Sequence, residues 1–96
     1  MAYLPKTSSK FNRVKKKFPV DLRKAVDDAV RRVCEDPSVG DLKTGTLSGV
    51  RVHKFGCLGQ VYLLAYEPCQ EEGVVYIYPV GGHENFYRDL QHYLKS

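Results

Sequence analysis

The sequence has no tryptophan, a single methionine, only three cysteines and no long apolar run. No stretch approaches the roughly 18 consecutive apolar residues that a membrane-spanning helix needs, and no signal-peptide pattern stands at its start. The cysteines (Cys34, Cys57 and Cys69) are odd in number and lack the close pairing of a zinc site or redox motif. We therefore expect a cytoplasmic protein with no membrane contact, whose thiols are packing or surface residues.

Acidic residues are absent from the first 20 positions. That segment holds six bases and has a charge of +6, whereas the remaining residues hold nine bases and eleven acids and have a charge of −2. Such asymmetry is compatible with a polyanionic partner, either nucleic acid or an acidic protein segment, and equally with a solvated helix face that contacts nothing. With 96 residues and 43% hydrophobic content, the chain is long enough to bury one core, so we expect a single domain over residues 1–96.

Two helices are predicted in the first 36 residues, after a short first strand within residues 1–6. The first helix follows the N-cap residues at positions 7–9 and ends at Lys17. Its bases lie off the apolar stripe, at Lys10, Arg13 and Lys17. The second helix starts near Pro19, ends at Asp36 and carries a continuous apolar stripe at helical spacing, namely Leu22, Ala25, Val26, Ala29, Val30, Val33 and Cys34.

Three strands are predicted after a loop at residues 37–48. They span residues 49–55, 60–67 and 74–78, and their short connections are typical of an antiparallel meander. The segment from Phe86 onward again has helical spacing. The order predicts an α+β domain, in which an N-terminal helical hairpin packs on one face of a small antiparallel sheet and a short C-terminal helix follows.

Alternation along these strands divides their side chains between two faces. We expect an aliphatic face to pack on the helices, formed by Val50, Val52, Val61, Leu63, Ala65, Val75 and Ile77. The other face would carry Arg51, His53, Tyr62, Tyr66, Tyr76 and Tyr78. Aromatic rings beside bases suit the stacking of single-stranded nucleic acid, and they equally suit a half-exposed sheet surface with good cross-strand pairs.

The stretch from Gly81 to Tyr87, GGHENFY, joins the last predicted strand to the final helix. Two glycines permit backbone angles and close approaches that other residues resist. His83 would lie near a helix N-terminus, where free N–H groups attract phosphate, and its ring gains or loses a proton near neutral pH. The stretch is therefore a candidate for holding and cutting a phosphodiester, or it is simply a turn.

The segments GVRVHKF, QVYLLAYE and GGHENFYRDL, in this order within a small basic domain, resemble the RelE/ParE superfamily of bacterial toxins. The resemblance covers nearly the whole chain, and its most specific elements are Gly49-Val50-Arg51 and Gly81-Gly82-His83. It implies the toxin of a type II toxin–antitoxin pair. Many members cut mRNA in the ribosomal A site without a metal or other cofactor, through attack of the 2′-hydroxyl on the adjacent phosphorus. That chemistry needs a proton acceptor, a proton donor and cations.

Carried over by position, the resemblance makes His83 the acid–base candidate, Tyr87 its partner for orientation or stacking, and Arg51 the phosphate cation. His53 or Lys54 would supply a second proton-transfer group or charge, and alternation places the two on opposite faces of an ideal strand. The implied partners are a cognate antitoxin, the ribosome and mRNA, with operator DNA reached only through the antitoxin. RNA contacts would fall on Lys43, Tyr62, Tyr76, Tyr78, Lys10, Arg13 and Lys17.

Two departures from the nuclease pattern keep other functions open. Pro79 stands near the place where nuclease members often carry an arginine, and residues 60–67 contain no base where some members have one. The ParE-type alternative uses the same fold to inhibit DNA gyrase by binding, without catalysis. A third possibility is a non-toxic nucleic-acid-binding module that relies on the basic hairpin and the tyrosine face.

Overall fold

The computed structural model describes residues 3–42, 49–82 and Phe86. Its helices are α1 (Ser9–Lys16) and α2 (Val20–Glu35), and a 3₁₀ turn (Pro37–Val39) follows α2. The strands are β1 (Leu4–Lys6), β2 (Asp41–Leu42), β3 (Arg51–Cys57), β4 (Gln60–Cys69) and β5 (Val74–Gly82). They form one sheet in the order β1-β5-β4-β3-β2, and the helices cover one of its faces, so the predicted α+β class is confirmed.

Both predicted helices form, and local sequence explains where they begin and end. The hydroxyl of Ser8 accepts a hydrogen bond from the backbone N–H of Phe11 at 3.0 Å and caps α1. Pro19, with φ −57°, immediately precedes α2, and Asp36 ends it. Within the described ranges, neither helix is long and apolar enough to cross a membrane. Five residues of the predicted α2 stripe are buried against the sheet: Leu22, Val26, Ala29, Val33 and Cys34.

The sheet contains the predicted meander and two strands beyond it. β3, β4 and β5 pair antiparallel, as predicted, and β1 adds to β5 in parallel, so the sheet is mixed. The segment predicted as a loop at 37–48 was assigned wrongly in part, because it contains the 3₁₀ turn and β2, which pairs with Arg51 and Val52. The segment predicted as a C-terminal helix lies outside the described residues except for Phe86, which is buried.

Apolar side chains are buried on both faces of the sheet, so the prediction of one aliphatic face turned to the helices was only partly right. Val75 and Ile77 do pack with the helices, but their partners from β4 are Leu64 and Tyr66. On the face opposite the helices, called the distal face below, Phe86 packs on Val50, Val52, Leu63 and Ala65. Alternation decides which residues share a face but not which face meets the helices, because a slip of one residue exchanges the two.

A bulge in β5 shifts the alternation near the end of the sheet. Leu64 pairs with Val80 and Tyr66 pairs with Ile77, so two residues of β5 stand opposite the single residue Ala65. One of the two is Pro79, and proline has no N–H to donate to a ladder, which is why it is tolerated at bulges. Beyond the bulge, Val80 lies on the helix face and Gly81 pairs with Leu63.

Candidate active site

Lys54 lies on the distal face beside the end of β5. It pairs with Leu63 of β4, which in turn pairs with Gly81, so the three residues form one row across three strands. Adjacent strands are about 4.8 Å apart, so the backbone of Lys54 is on the order of 10 Å from that of Gly81. The Lys54 side chain is exposed and makes no hydrogen bond or ion pair with any residue that the structure describes. A cation with no partner among the described residues therefore lies next to the strand end that leads, in sequence, to His83.

Three of the predicted site residues, His83, Tyr87 and Lys43, lie outside the described residues. The described positions that flank the first two are Gly82, which ends β5, and Phe86, which is 2% exposed in the distal-face cluster. The roles assigned to His83, Tyr87 and Lys43 stay predictions from sequence.

Arg51 lies on the helix face, on the side of β3 opposite to Lys54. It pairs with Tyr66, and its Nη1 donates a hydrogen bond to the carbonyl oxygen of Gly40 at 2.8 Å. This bond joins the 3₁₀–β2 segment to β3, on the face opposite to Lys54. The segment also packs tightly there, because a Cβ atom at Gly40 would lie 2.7 Å from the Tyr66 hydroxyl and 2.9 Å from the Val52 carbonyl oxygen, closer than real Cβ contacts come.

His53 is half-buried on the helix face, where it pairs with Leu64. Burial lowers the pKa of the His53 ring below its usual value, and the positive charge of Arg32 lowers it further. The ring stacks on Phe55, with centroids 6.3 Å apart, and Phe55 stacks on Tyr62 at 5.9 Å. His53 and Lys54 therefore lie on opposite faces of β3, as the alternation predicted.

The predicted tyrosine face is divided between the two sides of the sheet. Tyr62 belongs to the helix face, and its hydroxyl donates to Gln60 Oε1 at 3.0 Å. Tyr78 packs in the distal-face cluster. Tyr76 pairs with Lys6 of β1, whose ammonium lies 5.9 Å from the centre of the Tyr76 ring. Of the four tyrosines predicted for one face, Tyr76 and Tyr78 share the distal face with Lys54 and the other two do not.

Glu67 and Glu72 hold the hydroxyls of the two distal tyrosines. Tyr78 donates to Glu67 Oε1 at 2.9 Å, and Tyr76 is hydrogen-bonded to Glu72. The Glu72 bond is the main cause that raises the pKa of the Tyr76 phenol above its ordinary value. These two hydrogen bonds fix the orientation of the Tyr76 and Tyr78 rings through their hydroxyls.

Tyr66 was predicted for the exposed tyrosine face, and that prediction was wrong because its ring is fully buried. Its hydroxyl accepts a hydrogen bond from the Gly40 N–H at 2.8 Å and donates one to the Pro37 carbonyl oxygen at 2.6 Å. Burial raises the pKa of the phenol. Both partners lie more than 25 residues away in the sequence, so no local pattern could have indicated these bonds.

The bases of the helical hairpin form a second feature. Lys10, Arg13 and Lys17 are exposed on and after α1, as predicted. A groove between α1 and α2 collects further bases that the sequence reasoning did not single out. One of these is compensated, because Lys15 forms an ion pair with Asp27. The bases lining the groove that form no ion pair with a described residue are Lys16, Arg23 and Lys24.

Comparison with known proteins relates this sequence to a toxin family and its fold to solved structures. The sequence profile of the ParE-like toxins of type II bacterial toxin–antitoxin systems matches residues 6–91. No curated protein gives a significant sequence match. Solved structures with the same fold include a free, doubly substituted variant of the E. coli toxin RelE, with a TM-score of 0.77 and 21% identity over 99% of this chain and 97% of that one.

Two toxin–antitoxin complexes contain chains of the same fold. The RelBE2 complex from Mycobacterium tuberculosis matches with a TM-score of 0.74 and 24% identity, over 86% of this chain and 100% of that one. The intact E. coli RelBE complex matches with a TM-score of 0.70 and 23% identity, over 86% of this chain and 99% of that one.

Proposed function

This chain belongs to the ParE-like toxins of type II bacterial toxin–antitoxin systems, and on that basis we propose that it is an endoribonuclease that cuts mRNA on the ribosome. The observation that carries the proposal is the exposed Lys54, which has no ion-pair partner among the described residues and lies in one row with Gly81 on the distal face. A cation placed where charge develops on a transferring phosphorus is often the largest single contribution to catalysis. The RelE fold of the solved neighbours supports the same reading.

In the proposed reaction, the ribose 2′-oxygen attacks the adjacent phosphorus and the 5′-oxygen of the next nucleotide leaves. The products are a 2′,3′-cyclic phosphate and a 5′-hydroxyl. The Lys54 ammonium stabilises the additional negative charge on the phosphoryl oxygens. His83 either takes the proton from the 2′-hydroxyl while water protonates the leaving 5′-oxygen, or protonates the leaving oxygen while water takes the 2′-hydroxyl proton, and Tyr87 orients His83. The chain's own residues carry this mechanism, which needs no cofactor.

The positions of the other predicted site residues change the roles that we propose for them. Arg51 and His53 lie on the helix face, so in this proposal they support the fold and the cation role passes to Lys54 alone. Tyr76 and Tyr78 share the distal face with Lys54 and offer rings on which the bases of the codon can stack. The bases predicted on the first helix, Lys10, Arg13 and Lys17, then contact ribosomal RNA through its phosphates.

The proposal is tested by single-turnover cleavage of mRNA on purified ribosomes, with the new 5′ ends mapped. We expect Lys54→Gln to slow cleavage by about 10²- to 10³-fold and His83→Ala by about 10²- to 10⁴-fold. Lys24→Gln is the matched control, because it removes the same charge from the exposed side of α2, and it should change the rate by less than about threefold. Equal losses in all three variants, or growth arrest without cut mRNA, would contradict the proposal.

Inhibition of DNA gyrase is the second candidate. It is favoured by the aliphatic surroundings of Lys54, since Leu63 and Ala65 are buried beside it and Val61 is 52% exposed, while Arg51 is turned to the other face. A gyrase-binding toxin would alter supercoiling by purified gyrase, and both Lys54→Gln and His83→Ala would leave growth arrest intact. The third reading, a non-toxic nucleic-acid-binding module, receives no support from the family match.

We also propose a cognate antitoxin as the partner of this chain. The RelBE complexes of M. tuberculosis and E. coli are toxin–antitoxin assemblies with the same toxin fold. The basic hairpin of this chain, with six bases and no acid in the first 20 residues, offers a complementary surface to an acidic segment. Contact with operator DNA would then be made by the antitoxin.

A further inference from the structure

The outer edge of β3 is only partly covered by another strand. β2 pairs with Arg51 and Val52, and no described strand pairs with residues 53–57 on that side. β3 and β4 are joined by a two-residue turn, Leu58-Gly59, with φ 51° and 79°, as a type I′ hairpin requires. The turn fixes which residues of β3 point their backbone groups inward.

The hydrogen-bonding pattern leaves Lys54 and Gly56 facing outward. In a hairpin of this type the residues that flank the turn, Cys57 and Gln60, exchange both backbone hydrogen bonds, and the pattern then alternates along the strand. The amide and carbonyl groups of Val52, Lys54 and Gly56 therefore point away from β4. The position of Val52 confirms that these groups point away from β4, because its carbonyl oxygen lies toward Gly40 on the β2 side. Lys54 and Gly56 are both exposed.

The opposite edge of the sheet, in contrast, offers no N–H group for a further strand. In β1 the N–H of Leu4 is directed inward to the Gly73 carbonyl oxygen at 3.0 Å. The alternate positions are Pro5, which has no N–H, and Tyr3, whose N–H is bonded to the Cys34 carbonyl oxygen of α2 at 2.8 Å. Proteins commonly protect strand edges with proline or a covering element, and here the β1 edge is protected while no described strand covers residues 53–57 of the β3 edge.

The side chains beside residues 53–57 of this edge indicate which residues of an added strand would pack there. Gly56 pairs with Val61, and because Gly56 has no side chain, Val61 is left 52% exposed on the distal face. Leu58, at the tip of the same hairpin, is 75% exposed. It also has a positive φ, which leucine rarely adopts. Phe55 presents a half-buried ring on the helix face, and Lys54 presents its charge on the distal face.

We propose that an extended segment of the antitoxin adds to β3 along residues 53–57 and continues the line of β2 as a further strand. Across from Lys54 the segment carries an acid, and across from Phe55 and Gly56 it carries apolar residues that pack on the Phe55 ring and on Val61. The bound segment neutralises Lys54 and thereby blocks the cation proposed for cleavage. This inference rests on the proposed antitoxin partner.

The test is amide hydrogen exchange of the full chain, free and in complex with the antitoxin encoded by the neighbouring reading frame. In the free chain we expect the amides of Lys54 and Gly56 to exchange at least about 100-fold faster than those of Phe55 and Cys57, which are bonded to β4. In the complex, Lys54 and Gly56 should slow by about 100-fold, while Phe55 and Cys57 serve as internal references. Unchanged exchange at Lys54 and Gly56 in the complex overturns the proposal.

A matched pair of edge variants gives a second readout. Gly56→Lys places a charge on the open edge, where a Cβ would meet only the Gln60 carbonyl oxygen at 3.8 Å, and Leu4→Lys places the same charge on the protected edge. We expect Gly56→Lys to weaken antitoxin binding by about tenfold or more and Leu4→Lys to change it by less than about twofold. Equal weakening by both variants contradicts the choice of edge.

Two further outcomes also decide against the proposal. Protection of Lys54 and Gly56 in the free chain that grows with protein concentration would show that a second copy of this chain occupies the edge. Failure of the antitoxin to bind at all would remove the partner and the inference together. The cleavage assay on ribosomes uses no antitoxin, so it judges the proposed enzymatic function separately.

Discussion

Replacing Tyr66 by phenylalanine should be among the most costly single-atom changes in this protein. The ring is fully buried and the substitution leaves its packing intact, so the effect isolates the hydroxyl. Without that oxygen, the N–H of buried Gly40 and the carbonyl oxygen of Pro37 both lose their partner, at 2.8 and 2.6 Å. An unsatisfied buried polar group costs about 1–3 kcal/mol, so Tyr66→Phe should lower the free energy of unfolding by about 2–4 kcal/mol. A domain of this size has a total stability of about 5–15 kcal/mol.

The measurement is urea unfolding at neutral pH, with Tyr62→Phe as the matched control. The Tyr62 hydroxyl bonds to the side chain of Gln60 at an exposed position, so its loss should cost less than about 0.5 kcal/mol. The midpoint should shift for Tyr66→Phe with an unchanged denaturant slope, since the surface exposed on unfolding is the same. If the two variants have the same stability, the hydroxyl of Tyr66 does not hold the 3₁₀–β2 segment and the reasoning fails.

Three further predictions concern stability. Gly40→Ala should lower the unfolding free energy by about 1–3 kcal/mol in urea, because its Cβ would lie 2.7 Å from the Tyr66 hydroxyl, and an unaffected midpoint would contradict that contact. Phe86→Ala should cost about 3 kcal/mol in the same assay by emptying the centre of the distal-face cluster, whereas a loss below about 1 kcal/mol would mean that the cluster contributes little. The lowered pKa of His53 means that the unfolded ring binds a proton at higher pH than the folded one, so stability should fall as pH drops below about 6.5. His53→Gln should flatten that part of the pH profile, and an equally steep profile in the variant would assign the effect to another group.

The arginine of the Gly49-Val50-Arg51 segment shows how a sequence signature can have a structural cause. The family resemblance implied a phosphate cation at Arg51, and in the structure its guanidinium donates a hydrogen bond to the Gly40 carbonyl oxygen. Gly49 itself has φ +87°, in the left-handed region that favours glycine. Both residues therefore have a role in how the chain enters β3, so the signature has a structural explanation.

Local order was readable from the residues alone, because helix stripes, caps and strand alternation depend on neighbours a few positions apart. Ser8 capped α1, Pro19 preceded α2, and the meander formed where short polar connections separated alternating runs. The opposite orientation of His53 and Lys54 also followed from alternation. These features need no knowledge of what the chain packs against.

Tertiary structure decided which face of the sheet meets the helices, and with it which residues can act together. Alternation is symmetric between the two faces, and the bulge at Pro79 and the long-range bonds of Tyr66 break that symmetry only once the chain has folded. For this reason Lys54 is a cation on the distal face in one row with Gly81, while Arg51 is turned away from that face. The open edge at Gly56 has the same origin, because a strand edge exists only after its neighbours have paired.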